Sequence, residues 1–158
     1  MRVSKRGEYA LRSLINLGIA RELGCPMLQI HQLAKKENIP VKFLEAILLE
    51  LNRAGYLGSK RGKGGGYFLK KPMSKITIGE VVRLIDGPLA PISCASVTAY
   101  HPCSCPDEAH CGLRLLMVDV RNAIANILDR YTLADTVEVT LRKMRRDKVP
   151  LPFLEAKR

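Results

Sequence analysis

The stretch YLGSKRGKGGGYFLKK, Tyr56 to Lys71, constrains the fold more than any other part of the chain. Two short β-type runs flank the turn R-G-K-G-G-G, whereas the segments on either side place their apolar residues at helical spacing. Glycines in that number let a ribbon bend tightly and bring its backbone close to a phosphate or a groove. Five basic residues, Lys60, Arg61, Lys63, Lys70 and Lys71, stand here with no acid among them. A phosphate-binding P-loop fails as an alternative, because G-x-x-x-x-G-K-[ST] is not met and no helix begins at the glycines. Tyr67 and Phe68 read as alternating core contacts before they read as stacking platforms. The fold class expected is mainly α with a small β-wing.

Upstream, Leu11, Leu14, Ile15 and Gly18 step along a helix from Tyr9 to Glu22, with Ser4 as N-cap and Gly24-Cys25-Pro26 as the stop. Ile30, Leu33 and Ala34 mark a short second helix ending near Lys36. After the turn E-N-I-P, Phe43, Leu44, Ile47, Leu48 and Leu51 mark a third, which stops at Ala54-Gly55. Two short helices joined by such a turn form the helix-turn-helix pattern. Pro40, Lys42, Phe43, Glu45 and Ala46 face outward where a recognition helix presents side chains to base edges. Cys25, alone in its turn, reads as an inert thiol.

Charge agrees. The net charge is +11, but residues 1–75 carry 15 Lys/Arg against 5 Asp/Glu and residues 76–158 carry 11 against 10. Such asymmetry points to a polyanion-binding half joined to a nearly neutral one. Helix pair, wing and charge together make double-stranded DNA the expected partner.

Thr77 to Glu80 reads as a capping box opening a helix with Ile78, Val81, Val82 and Ile85 on one face, stopped at Gly87-Pro88. Leu113, Leu116, Met117, Val120, Ile124, Ile127, Leu128 and Tyr131 then step by threes and fours along about 28 Å of helix. A second copy of the chain is the preferred partner for that stripe, since a homodimer supplies the two-fold symmetry of palindromic sites. Thr132 begins a final helix with Leu133, Val137, Leu141 and Met144, followed by the basic run Arg142 to Lys148 and a Pro-punctuated tail. The divisions expected are 1–90 for DNA reading, 91–112 for a cysteine-rich sensor loop, 113–146 for the dimerisation helix and its successor, and 147–158 for the tail. No secretory signal follows Met1 and no apolar run approaches membrane-span length, so a cytoplasmic chain with reduced or metal-bound thiols and no membrane partner is expected.

Four of the five cysteines lie between Cys94 and Cys111, in C-ASVTAYHP-C-S-C-PDEAH-C, together with His101 and His110. Zinc modules built on paired C-x2-4-C spacings do not match these gaps. An iron–sulfur centre tolerates them. The Cys103-Ser104-Cys105 pair also suits a metal-free thiol, disulfide or persulfide switch, and a structural zinc loop stays open. A Cys–His enzyme using Cys111 with His101 or His110 is disfavoured, because no base-orienting group accompanies them.

On these residues the chain resembles the Rrf2 family of bacterial winged-helix transcription regulators. The segments that carry the resemblance are MRVSKRGEYALRSL, KFLEAILLELNRAGYLGSKRGKGGGYFL, C-P-x4-C-G-L and TLAD, spread over nearly the whole chain. The resemblance implies a winged helix-turn-helix, a cysteine loop and a long dimerisation helix. It implies that Lys42, Phe43 and Glu45 face the major groove, where Glu45 can accept from cytosine N4, and that Arg61 enters the minor groove. Lys60 and Lys63 of the same turn are expected to contact DNA, Lys63 at a phosphate. In cluster-bearing members three loop cysteines hold a [2Fe–2S] centre, and the fourth ligand is a later histidine or an N-terminal acid of the partner subunit. Here no histidine follows Cys111; His110 precedes it, and Glu8 occupies the acidic position. Cys94, Cys105 and Cys111 are the expected ligands, because Cys105 and Cys111 keep the family's five-residue gap. Cys103 stands as the replacement for Cys105 or as a spare thiol. One of that close pair is expected to be dispensable.

Overall fold

The computed structural model describes residues 2–154. Its elements, in chain order, are α1 (Lys5–Glu22), α2 (Ile30–Glu37), α3 (Val41–Arg53), β1 (Leu57–Lys60), β2 (Gly66–Leu69), α4 (Ile78–Asp86), α5 (Gly112–Arg130) and α6 (Leu133–Arg146). Short 3₁₀ turns interrupt the chain at Met73–Lys75 and Ser93–Ala95.

The core is built around α1, against which α2, α3, β2, α4 and α6 all pack. A helix covered on so many sides has no single apolar stripe. Ala10, Leu14, Leu17, Ile19 and Ala20 are buried, as are Ser13 and Asn16, whereas Leu11 and Ile15 sit half-buried at the margin. The spacing Leu11, Leu14, Ile15 and Gly18 therefore marks only part of the buried surface. Gly18 is where α6 and the Met73 turn press closest: a Cβ there would lie 2.6 Å from Val137 Cγ2 and 2.9 Å from Met73 Sδ. Ser4 caps α1 as expected, its hydroxyl accepting from the Gly7 N–H at 3.0 Å. The Ser4 N–H donates to Asp86 at the end of α4, at 2.8 Å.

The helix-turn-helix forms between α2 and α3, turned by Asn38 in the left-handed region (φ 52°), a conformation asparagine tolerates better than most residues. Its angle is set from below. Arg12 Nε and Asn16 Nδ2 of α1 donate to the Glu37 carboxylate at 2.5 and 2.8 Å, so the end of α2 is fixed to the core helix. The wing pairs Leu57 with Leu69 and Lys60 with Gly66 in antiparallel register. Leu57 and Leu69 are buried at its base, and Leu28 adds two backbone bonds to Tyr67, at 3.0 and 2.8 Å. Gly65 is obligatory in the turn, because a Cβ there would meet the Lys60 carbonyl oxygen at 2.2 Å.

Half of the expected capping box at α4 forms. Thr77 Oγ1 accepts from the Glu80 N–H at 3.2 Å, but the Glu80 carboxylate turns to Lys71 Nζ at 2.6 Å. A complete box closes instead on α6, between Thr132 and Asp135.

By packing, α6 shares the core of α1 through buried Leu133, Val137 and Leu141, although it follows α5 in sequence. The helix α5 has no buried residue along its length. It leaves the core as an arm, lying on α4 and on the Ser93–Ala95 turn. The tail turns back so that Leu151 and Phe153 pack at the edge of the core, and its residues 155–158 lie outside the described residues. No helix among the described residues is long and apolar enough to cross a membrane.

Candidate DNA-reading surface and cysteine loop

Lys42, Phe43 and Glu45 lie in the first turns of α3 and are exposed, and Lys60, Arg61 and Lys63 are exposed in the wing. Among the described residues none of these charged side chains forms an ion pair, while Arg6, Arg12, Lys71 and Arg83 are all engaged in the core region. Uncompensated positive charge thus stands where the helix-turn-helix and wing project. Phe43 is only partly free: its ring stands edge-on to Tyr9, with centroids 5.7 Å apart. That contact ties the start of α3 to α1.

The cysteine loop hangs on α5. Cys94 is buried in the Ser93–Ala95 turn, whose carbonyls are gripped from the helix: Arg114 Nε donates to Cys94 O at 3.0 Å and Arg121 Nη1 to Ala95 O at 2.5 Å. Cys111 is the N-cap of α5. The backbone N–H of Arg114 first, then the Cys105 thiol and the backbone N–H of Leu113, hold its thiol below the usual cysteine range, as a helix N-terminus does for a thiolate. The loop between them folds back so that its four thiols form a string in sequence order. Cys94 neighbours Cys103, Cys103 neighbours Cys105, and Cys105 Sγ lies 4.0 Å from Cys111 Sγ. Cys105, between Cys103 and Cys111, has its pKa pushed up to about 12. Burial, and then Cys103, push the Cys94 thiol up. Among the described residues no three His, Cys, Asp or Glu side chains converge on one point to hold a single metal ion.

The other expected ligands stand elsewhere. Glu8 accepts from Lys5 at 2.8 Å and from Arg12 at 3.1 Å, and Lys5 first among these holds its carboxyl below the usual range. His110 Nδ1 meets Asp107 at 2.8 Å on a largely exposed ring. Neither His101 nor His110 forms a hydrogen bond with Cys111 among the described residues. The residue that sequence reasoning missed is Glu108. Its carboxylate accepts from the Tyr100 hydroxyl at 2.8 Å and from the Cys103 N–H at 3.4 Å, lies 3.6 Å from Cys103 Sγ, and pairs with Arg114 at 3.3 Å. Tyr100, then Cys103, hold this carboxyl below its ordinary range. A signal was present: Glu108 sits between Cys105 and Cys111, with Arg114 six residues on.

A helix-turn-helix with a basic wing, joined to an unburied helix through a thiol-rich loop, defines a winged-helix DNA-binding regulator. The family model for Rrf2, an iron-dependent transcriptional regulator, matches residues 3–139, and the chain belongs to that family. An rrf2-like HTH-type transcriptional regulator of Rhodobacter capsulatus is 40% identical over 135 residues, covering 84% of this chain and 90% of its own. The HTH-type transcriptional regulator NsrR of Geobacillus kaustophilus is 33% identical over 150 residues, 94% of this chain and 99% of its own. Among solved structures, CymR, the global cysteine regulator of B. subtilis, superposes with a TM-score of 0.73 at 27% identity, covering 88% of this chain and 98% of that one. The similar proteins are transcription regulators and not enzymes, in agreement with the sequence expectation.

Proposed function

We propose that the chain acts as a cytoplasmic homodimer that binds an operator in double-stranded DNA and changes its grip with the state of a [2Fe–2S] cluster in the cysteine loop. The observation that carries this reading is the gathering of four thiols into one string at the N-terminus of α5. The donor set fits the group: soft thiolates are what such a centre takes, and Cys111 is held toward its thiolate form. Cys94, Cys105 and Cys111 serve as ligands, with the fourth position falling to Cys103, to His110 or to Glu8 of the partner subunit. When bound, the cluster supplies a centre that reacts with oxidants and nitric oxide.

The chain's own residues convert that state into geometry. Arg114 and Arg121 couple the loop backbone to α5, and α5 presents Leu113, Leu116, Val120, Ile127 and Tyr131 to solvent as the seam for a second copy. A shift in that seam respaces the two reading heads. At each head Lys42, Phe43 and Glu45 address the major groove, Arg61 the minor groove, and Lys60 and Lys63 the phosphates. A second reading, a metal-free thiol switch, draws on the 4.0 Å approach of Cys105 to Cys111 and on the likeness to a cysteine regulator.

Operator affinity of anaerobically reconstituted and apo protein tests the proposal. The expected difference is about 1–3 kcal/mol, the size of an allosteric coupling. Arg61→Ala with Lys63→Ala weakens both forms and shallows the salt slope by about two. Protein that takes up stoichiometric zinc but no iron, with affinity indifferent to thiol oxidation, overturns both readings.

A further inference from the structure

We propose that the C-terminal tail, Pro150 to Leu154, is a strap that holds α2 against α1 and α6 and so fixes the angle at which α3 is presented. The inference rests on the reading of α3 as the DNA-contacting helix, and it makes Leu151, Pro152 and Phe153 positioning residues for that contact. The tail lies beyond the family match, which ends at residue 139.

Its course is set where α6 ends. The Val149 N–H donates to Met144 O at 3.0 Å and the Lys148 N–H to Arg145 O at 3.2 Å, a closure that reverses the chain at a left-handed residue, commonly glycine. Here that residue is Lys148, at φ 53°, and Phe153 takes a second left-handed turn at φ 63°. Such backbone is uncommon for lysine and an outlier for a bulky aromatic residue, and it persists only where the surroundings over-determine it. For Phe153 the surroundings are the edge of the core, on which it packs together with Leu151. Pro150 and Pro152 fix their own φ and hold the residues before them extended, so little freedom is lost when the segment docks.

The docked segment lies against the joint of the helix-turn-helix. On one side it shares a cavity with Gln32, Lys35 and Lys36 of α2. On the other, Pro152 joins Thr140 and Met144 of α6 in lining a cavity of about 170 Å³ whose walls include Arg12, Asn16 and Glu37. Those three residues are the knot that ties α2 to the core helix. The helix α2 is eight residues long and buries only Leu33 and Ala34. Among the described residues, its side-chain bonds to α1 run through Glu37 alone. The Glu37 side chain is 16% exposed, and charged hydrogen bonds strengthen as water is excluded from them. The strap supplies part of that cover. Removing it wets the Arg12–Glu37 pair and loosens α2 without touching α3 or the wing.

The test compares the full-length chain with Leu151→Ala/Phe153→Ala, which leaves net charge unchanged, with Glu37→Gln, and with all three substitutions together. Amide hydrogen exchange and DNA affinity are measured. The DNA probes are a duplex selected from a random library by the wild-type chain and an unselected duplex of the same length. The tail pair is expected to speed exchange of α2 amides 34–38 about tenfold while α4 amides 82–86 stay within about twofold. Affinity for the selected duplex is expected to fall about tenfold, and for the unselected duplex less than about twofold, because the phosphate contacts are untouched. Within the Glu37→Gln background the tail pair is expected to add less than about twofold, since residues that share one support are not additive. Unchanged α2 exchange or unchanged affinity for the selected duplex overturns the strap. So do equal losses on both duplexes, exchange that rises alike in α2 and α4, or tail and Glu37→Gln effects that multiply in full. Phe153→Ala alone carries the same comparison, at about threefold, if the pair unfolds the chain. Wild type that enriches no duplex overturns the DNA reading, and α2 exchange then decides the strap by itself.

Discussion

Leu48 and Leu116 are the same side chain in opposite surroundings: Leu48 is fully buried in α3, while Leu116 on α5 is 56% exposed. The contrast runs through both regions. In the reading core, α1 is sheathed by its neighbours and the buried leucines of α3 and α6 close around it, so the fold is satisfied within one chain. In the arm, α5 has no fully buried residue, and polar ties help to hold it: Arg83 to Asp129 at 2.8 and 2.6 Å, and the two arginines on the loop carbonyls. Hydrophobic burial is non-directional and sums over a core. A few hydrogen bonds fix position but contribute little to net stability. The core therefore carries the stability, and the arm carries a surface that is still unsatisfied.

This comparison is open to direct attack. The largest effect is expected from Leu48→Ala, which removes a fully buried side chain and lowers unfolding free energy by about 2–5 kcal/mol, read by urea denaturation. An effect below about 1 kcal/mol there shows that the core is not where stability resides. Next comes Leu116→Glu. It leaves the stability of the isolated chain within about 0.5 kcal/mol, as a surface change does. In an assembled seam it buries an unpaired charge and weakens association by about 3 kcal/mol, more than a hundredfold. Sedimentation equilibrium distinguishes the outcomes, and an unaltered dimer moves the seam elsewhere. The smallest effect is expected from Asp129→Asn, which breaks the two-pronged tie to Arg83 on the partly exposed face of α4. It costs at most about 1 kcal/mol, and less as salt is added. A larger loss makes the arm part of the cooperative core.

Much of the core was legible in the sequence, and the reasons are local. The glycine turn and its flanking cations dictate the wing, because few other conformations accept Gly65 and its neighbours. Leu44, Ile47, Leu48 and Leu51 mark the buried face of α3, because that helix has one side to solvent. The periodicity argument weakens at α1, where Leu17 and Ala20 are buried together with Ser13 and Asn16, so that burial no longer follows apolarity. It is silent on the return of α6 to the core, since an amphipathic stripe does not name its partner. Glu80 keeps only half of its capping role because Lys71, nine residues earlier, offers a nearer charge. In the loop, spacing identified the thiols but not their neighbours. Glu108 joins Tyr100, Cys103 and Arg114 only after the chain between Cys94 and Cys111 has folded back on α5.

Arg114 and Arg121 take hold of the loop by its main chain, at the carbonyl oxygens of Cys94 and Ala95. A carbonyl is present whatever side chain the residue bears. The linkage between loop and arm therefore survives replacement of the thiols themselves, and positions 94 and 95 can drift without cutting it. Chemistry at the sulfur atoms and attachment of the loop to the helix are thus separately heritable. Under the proposed function, a lineage can exchange one sensing chemistry for another while inheriting the same attachment of loop to arm.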